Sequence, residues 1–242
     1  MKIDRKNIRI VLVETTHAGN IGAAARAMKT MGLSDLALVS PCAYKTYECY
    51  ARASGAGEII DAVTSHATLQ DAVGDVGLVI GTSARLRSLA WPQLPTVEAA
   101  QKIAAASLLG KVAIVFGRER SGLTNDELAL CSSLLIIPSN EQFSSLNLAA
   151  AVQIVSYELM RAELPDSPLA VAAESPAEQA ELERFYEHLA VVMEEIGYYD
   201  PANPRLLMTR MRRLFNRAEP SVSELQVLRG VLAQMQKGRR VD

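Results

Sequence analysis

The 242-residue sequence predicts an α/β fold, a parallel sheet with helices on both faces, followed by a small all-helical C-terminal extension. Three observations predict it. Short, almost continuously apolar runs such as Ile8–Val13 (IRIVLV) and Val112–Phe116 (VAIVF) have the composition of parallel strands buried on both sides. Segments of helical period alternate with them, which is the pattern of repeated strand–helix units. Beyond residue 178 the strand-like runs stop and only amphipathic helical spacing remains.

In chain order, the first strand is 8–13. Residues 22–31 read as a helix with Ala24, Ala27, Met28 and Met31 on one face, closed by Gly32 at the first position past the end. Leu36–Val39 is a strand stopped before Pro41. The stretch 42–75 reads as a short helix near 46–53, a short strand at Ile59–Ile60 and a helix near 68–73. Leu78–Ile80 is a strand, followed by the turn Gly81-Thr-Ser-Ala-Arg85, and Trp91–Pro95 reads as a loop. Thr96 is the expected N-cap of a helix from Val97 to Ser107. After the strand Val112–Phe116, Thr124-Asn-Asp-Glu127 has the spacing of a capping box. Leu134–Ile137 is the last strand, and 146–163 is a long apolar helix. The division is therefore 1–163 for the α/β domain, 164–178 (LPDSPLAVAAESPAE) for a linker without helical period, and 179–242 for the extension. Its helices are expected at 178–196, at 204–217, and after a second capping box, Ser221…Glu224.

Composition excludes several classes. No run of about 18 apolar residues is free of charge, so no transmembrane span is expected. Met1-Lys-Ile-Asp-Arg-Lys lacks the apolar core of a signal peptide. Three cysteines (Cys42, Cys49, Cys131) without CxxC spacing fit neither a disulfide framework nor a zinc site. A cytoplasmic protein without metal is the expectation. GxGxxG, GxxxxGK[ST] and GxSxG are all missing, against a dinucleotide oxidoreductase, a P-loop NTPase or an α/β-hydrolase. Net charge is −2, but unevenly spread: 177–200 carry one basic side chain against seven acidic, and 201–242 nine basic against three. Such a basic stretch attracts phosphate backbones; it can equally pair with the acidic helix before it.

Three segments at strand ends concentrate the chemistry: Asn20-Ile-Gly-Ala-Ala-Ala-Arg26, Phe116-Gly-Arg-Glu-Arg-Ser-Gly-Leu123 and Ser144-Ser-Leu-Asn-Leu-Ala149. Arg26 carries a planar fork of donors suited to phosphate or carboxylate; its plainer reading is a surface salt bridge. Gly117 allows close backbone approach, Glu119 is a partner for Arg118, Arg120 or a ligand hydroxyl, and Ser144, Ser145 and the Asn147 amide read as N-caps or as ligand donors.

Together, and in this order, the three segments resemble the three motifs of the SPOUT class of RNA methyltransferases, in the branch that methylates ribose 2′-oxygens. The patterns are Asn-x-Gly-x-x-x-Arg, Phe-Gly-x-Glu-x-x-Gly-Leu and Ser-Leu-Asn-x-Ala-x-Ala. Leu182-x-Arg-Phe-Tyr-x-His-Leu189 and Arg212-Arg-Leu-Phe-x-Arg217 are similar to the tail of the bacterial enzymes that act on cytidine or uridine at position 32 of the tRNA anticodon loop, while residues 42–53 depart from them. The resemblance implies a trefoil knot at the C-terminal end of the sheet, a homodimer with sites shared between subunits, tRNA as substrate and S-adenosylmethionine as cofactor. It assigns Arg26 and Asn20 to catalysis, and Thr82, Ser83, Ala84, Gly117, Ile137, Ser144, Ser145 and Leu146 to the cofactor. A guanidinium keeps its proton in proteins, so Arg26 is read as a phosphate clamp oriented by Asn20 rather than as a base, with His17 as the less favoured base. Arg205, Arg210, Arg212, Arg213 and Arg217 are expected to track tRNA phosphates. The rivals are a 2′-O-methyltransferase of ribosomal RNA or another tRNA position, and a non-catalytic RNA-binding relative.

Overall fold

A computed structural model describes residues 3–83, 91–140, 142–162 and 174–238. In chain order the elements are β1 (Ile8–Val13), α1 (Ala18–Thr30), β2 (Asp35–Val39), α2 (Tyr47–Ala53), α3 (Gly57–Asp61), β3 (Thr64–His66), α4 (Leu69–Val73), β4 (Leu78–Thr82) and β5 (Gln93–Pro95). They continue with α5 (Thr96–Ser107), β6 (Val112–Phe116), α6 (Asn125–Ala129), β7 (Ser133–Ile136), α7 (Leu148–Arg161), α8 (Gln179–Glu195), α9 (Leu207–Ala218) and α10 (Val222–Gly238).

The strands form one seven-stranded sheet in the order β3-β2-β1-β6-β4-β7-β5, and every pairing is parallel. Successive strand residues point to opposite faces, so each apolar run feeds two cores. Ile10 and Leu12 pack with Ile114 and Phe116 under α1, α5 and α7, while Val11 and Val13 pack with Ala113 and Val115 under α4 and α6. The one charge in β1, Arg9, is kept by pairing: its guanidinium bonds Asp35 at 3.0 Å, Asp75 at 2.6 Å and the Ala72 carbonyl at 2.9 Å.

Local signals are realised where they are strongest. The Thr124–Glu127 capping box is complete, with Thr124 Oγ1 accepting from Glu127 N–H at 3.2 Å and Glu127 Oε2 accepting from Thr124 N–H at 2.7 Å. The Ser221–Glu224 box has the same reciprocal bonds, 3.2 and 2.8 Å. Helix α1 ends at Gly32, where the Leu33 N–H reaches the Met28 carbonyl at 2.9 Å.

Four expectations are corrected. Ile59 and Ile60 lie in α3, and the strand is the polar Thr64–His66 that follows. A pair of isoleucines carries no period of its own, and an edge strand with one neighbour needs little hydrophobicity. Gln93–Pro95 is not loop but the opposite edge strand, paired with β7. Thr96 is the first residue of α5, not its cap; Pro95 holds the cap position without a side-chain bond. Asn20 sits in the first turn of α1, which begins four residues earlier than its apolar face suggested.

Helices α8, α9 and α10 share a third core around Leu182, Phe185, Leu189 and Leu225. It is tied to the sheet body: Asn216, 2% exposed, accepts from the Tyr186 hydroxyl at 2.6 Å and donates to the Ala129 carbonyl at 2.5 Å. Ala177 is buried, and the Gln179 N–H donates to the Val76 carbonyl at 3.1 Å. The basic tail is split by this packing. Arg212 forms a bidentate pair with the buried Glu183 and lies 4.6 Å from the Tyr186 ring centroid, and Arg213 sits over Trp91. Arg205, Arg210 and Arg217 stay exposed, without a hydrogen-bond or ion-pair partner among the described residues. No helix among those residues is long and apolar enough to cross a membrane.

Candidate functional site

The carboxyl ends of three neighbouring strands, β6, β4 and β7, open onto one cleft. In a parallel sheet this edge is where side chains and backbone groups from different strands converge. Thr82 and Ser83 enter from β4, Phe116, Gly117 and the loop to Gly122 from β6, Leu135 and Ile137 from β7, and Ser144, Ser145 and Leu146 from the approach to α7. Seven of the eight residues assigned to the cofactor by sequence thus line a single cleft; the eighth, Ala84, lies outside the described residues.

The loop after β6 folds back on itself. A methyl group on Gly117 would stand 2.3 Å from the Gly122 carbonyl carbon and 2.4 Å from the Leu123 nitrogen, so only glycine permits this turn. Arg118 clamps the loop. Its guanidinium donates to both oxygens of Glu14 and both of Glu127, the latter at 2.9 and 3.0 Å, and to the Gly122 carbonyl at 3.4 Å. These bonds hold the Glu14 carboxyl below its usual range. Glu119 does not pair with either neighbouring arginine, which corrects part of the sequence reading. It accepts from Asn20 Nδ2 at 3.1 Å and from the Thr16 N–H at 3.3 Å and the Thr16 hydroxyl at 3.4 Å. Burial pushes its pKa up, but its own backbone, Asn20 and Thr16 outweigh that and leave it lowered. A carboxylate so occupied is a poor proton acceptor.

Asn20 closes the junction. Its Oδ1 accepts from Asn147 Nδ2 at 3.1 Å, and Asn147 Oδ1 caps α7 through Ala149 and Ala150 N–H at 3.0 and 3.4 Å. One asparagine from the first segment, one glutamate from the second and one asparagine from the third are therefore bonded in series. The N-cap of α7 is Asn147, not Ser144 or Ser145, which leaves those serines on the cleft wall. The glycine of the first segment serves packing: a Cβ on Gly22 would fall 2.0 Å from the Cys49 carbonyl oxygen, so its absence lets α2 press onto α1.

Arg26 is placed differently. It lies on α1 but does not line the cleft, is exposed, and has no hydrogen-bond or ion-pair partner among the described residues. No bond joins it to Asn20, whose amide is used on Glu119 and Asn147. His17 occupies the N-cap position of α1 without making a capping bond. Sequence reasoning missed the roles of Arg118 and Glu14 and the bond from Asn147 to Asn20; the Asn147 cap itself was among the N-cap candidates of the third segment. Among the described residues no group of His, Cys, Asp or Glu is arranged to hold a metal.

This cleft, walled by a glycine turn and two serines at the carboxyl ends of parallel strands, gives an α/β protein a crevice where open parallel sheets hold ligands. Comparison with known proteins narrows the class. The SpoU rRNA methylase family matches residues 7–157, and the C-terminal domain of the tRNA methyltransferase TrmJ matches residues 180–242. The chain is 47% identical over 236 residues to a tRNA (cytidine/uridine-2′-O-)-methyltransferase TrmJ of Yersinia pestis, covering 96% of this chain and 92% of that one. The crystal structure of TrmJ from Z. mobilis ZM4 superposes with a TM-score of 0.83 at 35% identity, covering 94% of this chain and 98% of that one. The SpoU methyltransferase AviRb of Streptomyces viridochromogenes, in complex with the cofactor AdoMet, shares the fold (TM-score 0.51, 19% identity, 65% of this chain and 61% of that one). The chain belongs to the SpoU methylase family of methyltransferases, in its TrmJ branch.

Proposed function

We propose that this protein transfers a methyl group from S-adenosylmethionine to the ribose 2′-oxygen of cytidine or uridine at position 32 of the tRNA anticodon loop. The observation that carries the reading is the Glu119–Asn20–Asn147 chain of hydrogen bonds, which draws the three motif segments together beside one cleft. The cleft fits the cofactor in kind. Leu135, Ile137 and Leu146 offer an apolar wall, the hydroxyls of Ser144 and Ser145 offer polar contacts, and the tight turn at Gly117 brings backbone to the cleft lining.

When bound, the cofactor supplies an electrophilic methyl group on a sulfonium. A ribose hydroxyl is a weak nucleophile, so the protein must align it and favour loss of its proton. Thr82, Ser83, Ala84, Gly117, Ile137 and Ser144–Leu146 take the cofactor. Arg26 holds the phosphate beside the target ribose and stabilises the oxyanion as it develops. Asn20 fixes the geometry of the junction. Because Arg26 stands outside the cleft of its own chain, a homodimer in which it serves the partner's cleft completes the site; exposed Tyr157 and Met160 on α7 (47% and 53%) give such a dimer apolar surface. The reading takes 1–163 as a knotted SPOUT domain, 164–178 as linker, and 179–242 as an RNA-binding extension, acting in the cytoplasm.

The test is methyl transfer from labelled S-adenosylmethionine to unmodified tRNA, with the product mapped by nuclease digestion and mass spectrometry. A 2′-O-methyl group at position 32 is expected. Label at another tRNA position, or on ribosomal RNA only, overturns the substrate assignment and keeps the chemistry.

The tail makes a separate prediction. Methylation should fall with added salt, since each phosphate contact contributes roughly −0.7 to −0.9 to the slope of log affinity against log salt. Replacing Arg210 and Arg217 together by Ala should weaken tRNA binding, reduce that slope by about 1–2 and leave thermal stability unchanged, because both side chains are exposed and unpaired among the described residues. Arg212→Ala should instead lower thermal stability, since it strands Glu183 in the third core.

A further inference from the structure

Most charged groups of the cleft are spent on the protein itself, Arg118 on Glu14 and Glu127, Glu119 on Asn20 and Thr16. Two further groups, one on the lining and one next to it in sequence, are not. Arg120 lines the cleft, is exposed and has no hydrogen-bond or ion-pair partner among the described residues. Phe143, immediately before the two lining serines, shows 77% of its surface to solvent. Its loop holds it there. The Phe143 N–H donates to the Asn140 carbonyl at 2.9 Å, the Gln142 N–H donates to Asn140 Oδ1 at 2.9 Å, and the Ser139 hydroxyl donates to the Ser144 carbonyl at 3.4 Å. An exposed phenyl ring one residue before the lining serines, and an exposed guanidinium on the cleft lining itself, supply the two chemistries a nucleotide needs, a π-face for the base and a cation for the phosphate.

We propose that Phe143 is the platform on which the target pyrimidine stacks, with Arg120 on an adjoining phosphate. The assignment rests on the functional reading above. A nucleotide in a stacked loop must leave its neighbours to bring its 2′-oxygen to the cofactor, and the ring replaces the lost stack. Stacking reads the flat face of a base and not its hydrogen-bonding edge. Cytidine and uridine differ at that edge, with an amino donor on one and a carbonyl acceptor on the other, and share the face. A site that grips the base by Phe143 accepts both.

The experiment compares wild-type protein with Phe143→Ala, Phe143→Leu and Phe143→Trp. It measures kcat and KM on two tRNA transcripts differing only in C or U at position 32, cofactor affinity by calorimetry, and oligomeric state by sedimentation. Phe143→Ala and Phe143→Leu should each lower kcat/KM about 5- to 150-fold, the equivalent of about 1–3 kcal/mol of stacking at 1.4 kcal/mol per tenfold. The loss should lie mostly in KM, with cofactor affinity and the C-to-U ratio unchanged and activity restored in Phe143→Trp. Arg120→Ala should flatten the salt dependence. A leucine variant as active as wild type, a C-to-U ratio that moves with the substitution, or a change of oligomeric state in Phe143→Ala overturns the proposal; the last would show that a second copy covers the ring. Wild-type protein that binds the cofactor but methylates neither transcript would overturn the functional reading, and the stacking assignment with it.

Discussion

Arg26→Ala is expected to reduce methyl transfer by about 10²–10³-fold, the range seen when one donor to a developing oxyanion is removed. Cofactor affinity and folding should be unchanged. The expectation of intact folding comes from the structure: the side chain is exposed and bonded to nothing among the described residues. Arg26→Lys keeps the charge but loses the planar fork, and should recover only part of the loss. The check is single-turnover transfer at saturating cofactor and tRNA. Activity within tenfold of wild type would remove Arg26 from the mechanism.

Gly117→Ala is expected to abolish detectable cofactor binding and to cost about 1–3 kcal/mol of stability, as overpacking does in a site that cannot relax. The added methyl meets backbone at 2.3 and 2.4 Å, not the end of a flexible side chain. The loop cannot shift cheaply, because Arg118 holds it to Glu14 and Glu127 at the same time. Gly110 is the control: a methyl there meets nothing within 4 Å, so Gly110→Ala should be silent. Calorimetry with the cofactor and thermal unfolding decide the matter, and normal affinity in Gly117→Ala would show that the turn is not part of the cofactor site. The two variants also test the proposed shared site together. If the chain forms the proposed homodimer, Arg26→Ala and Gly117→Ala should each be strongly impaired alone, while a mixed dimer should contain one cleft with both groups intact. Activity recovered on mixing requires that Arg26 reach the partner's cleft.

Legibility in the sequence followed hydrophobic pattern. β1, β4, β6 and β7, central or next to the edge, were readable because burial on both faces demands apolar runs. The edge strands were not: Thr64–His66 is polar, and Gln93–Pro95 ends in a proline, so neither has a pattern that separates it from loop. The second and third motif segments, which supply much of the cleft lining, were readable at strand ends, while the first lies beside the cleft rather than in its lining. Their bonding was not. Arg118 sits next to Glu119 in sequence yet pairs with Glu14, 104 residues away, while Glu119 takes Asn20. The five tail arginines looked alike, and the packing of α8 on α9 took Arg212 for Glu183.

What the sequence by itself determined is what neighbours within a few residues decide: strand and helix type from side-chain period, and termini from caps such as Thr124 with Glu127, Ser221 with Glu224, and Gly32. Only the tertiary structure decided which polar groups meet. The Asn20–Glu119 and Asn20–Asn147 bonds join residues 99 and 127 positions apart. A hydrogen bond forms only over a few tenths of an ångström in distance and a narrow range of angles. Across such separations that placement depends on the register of the whole sheet and the packing of α1 and α7 upon it, which no local pattern encodes.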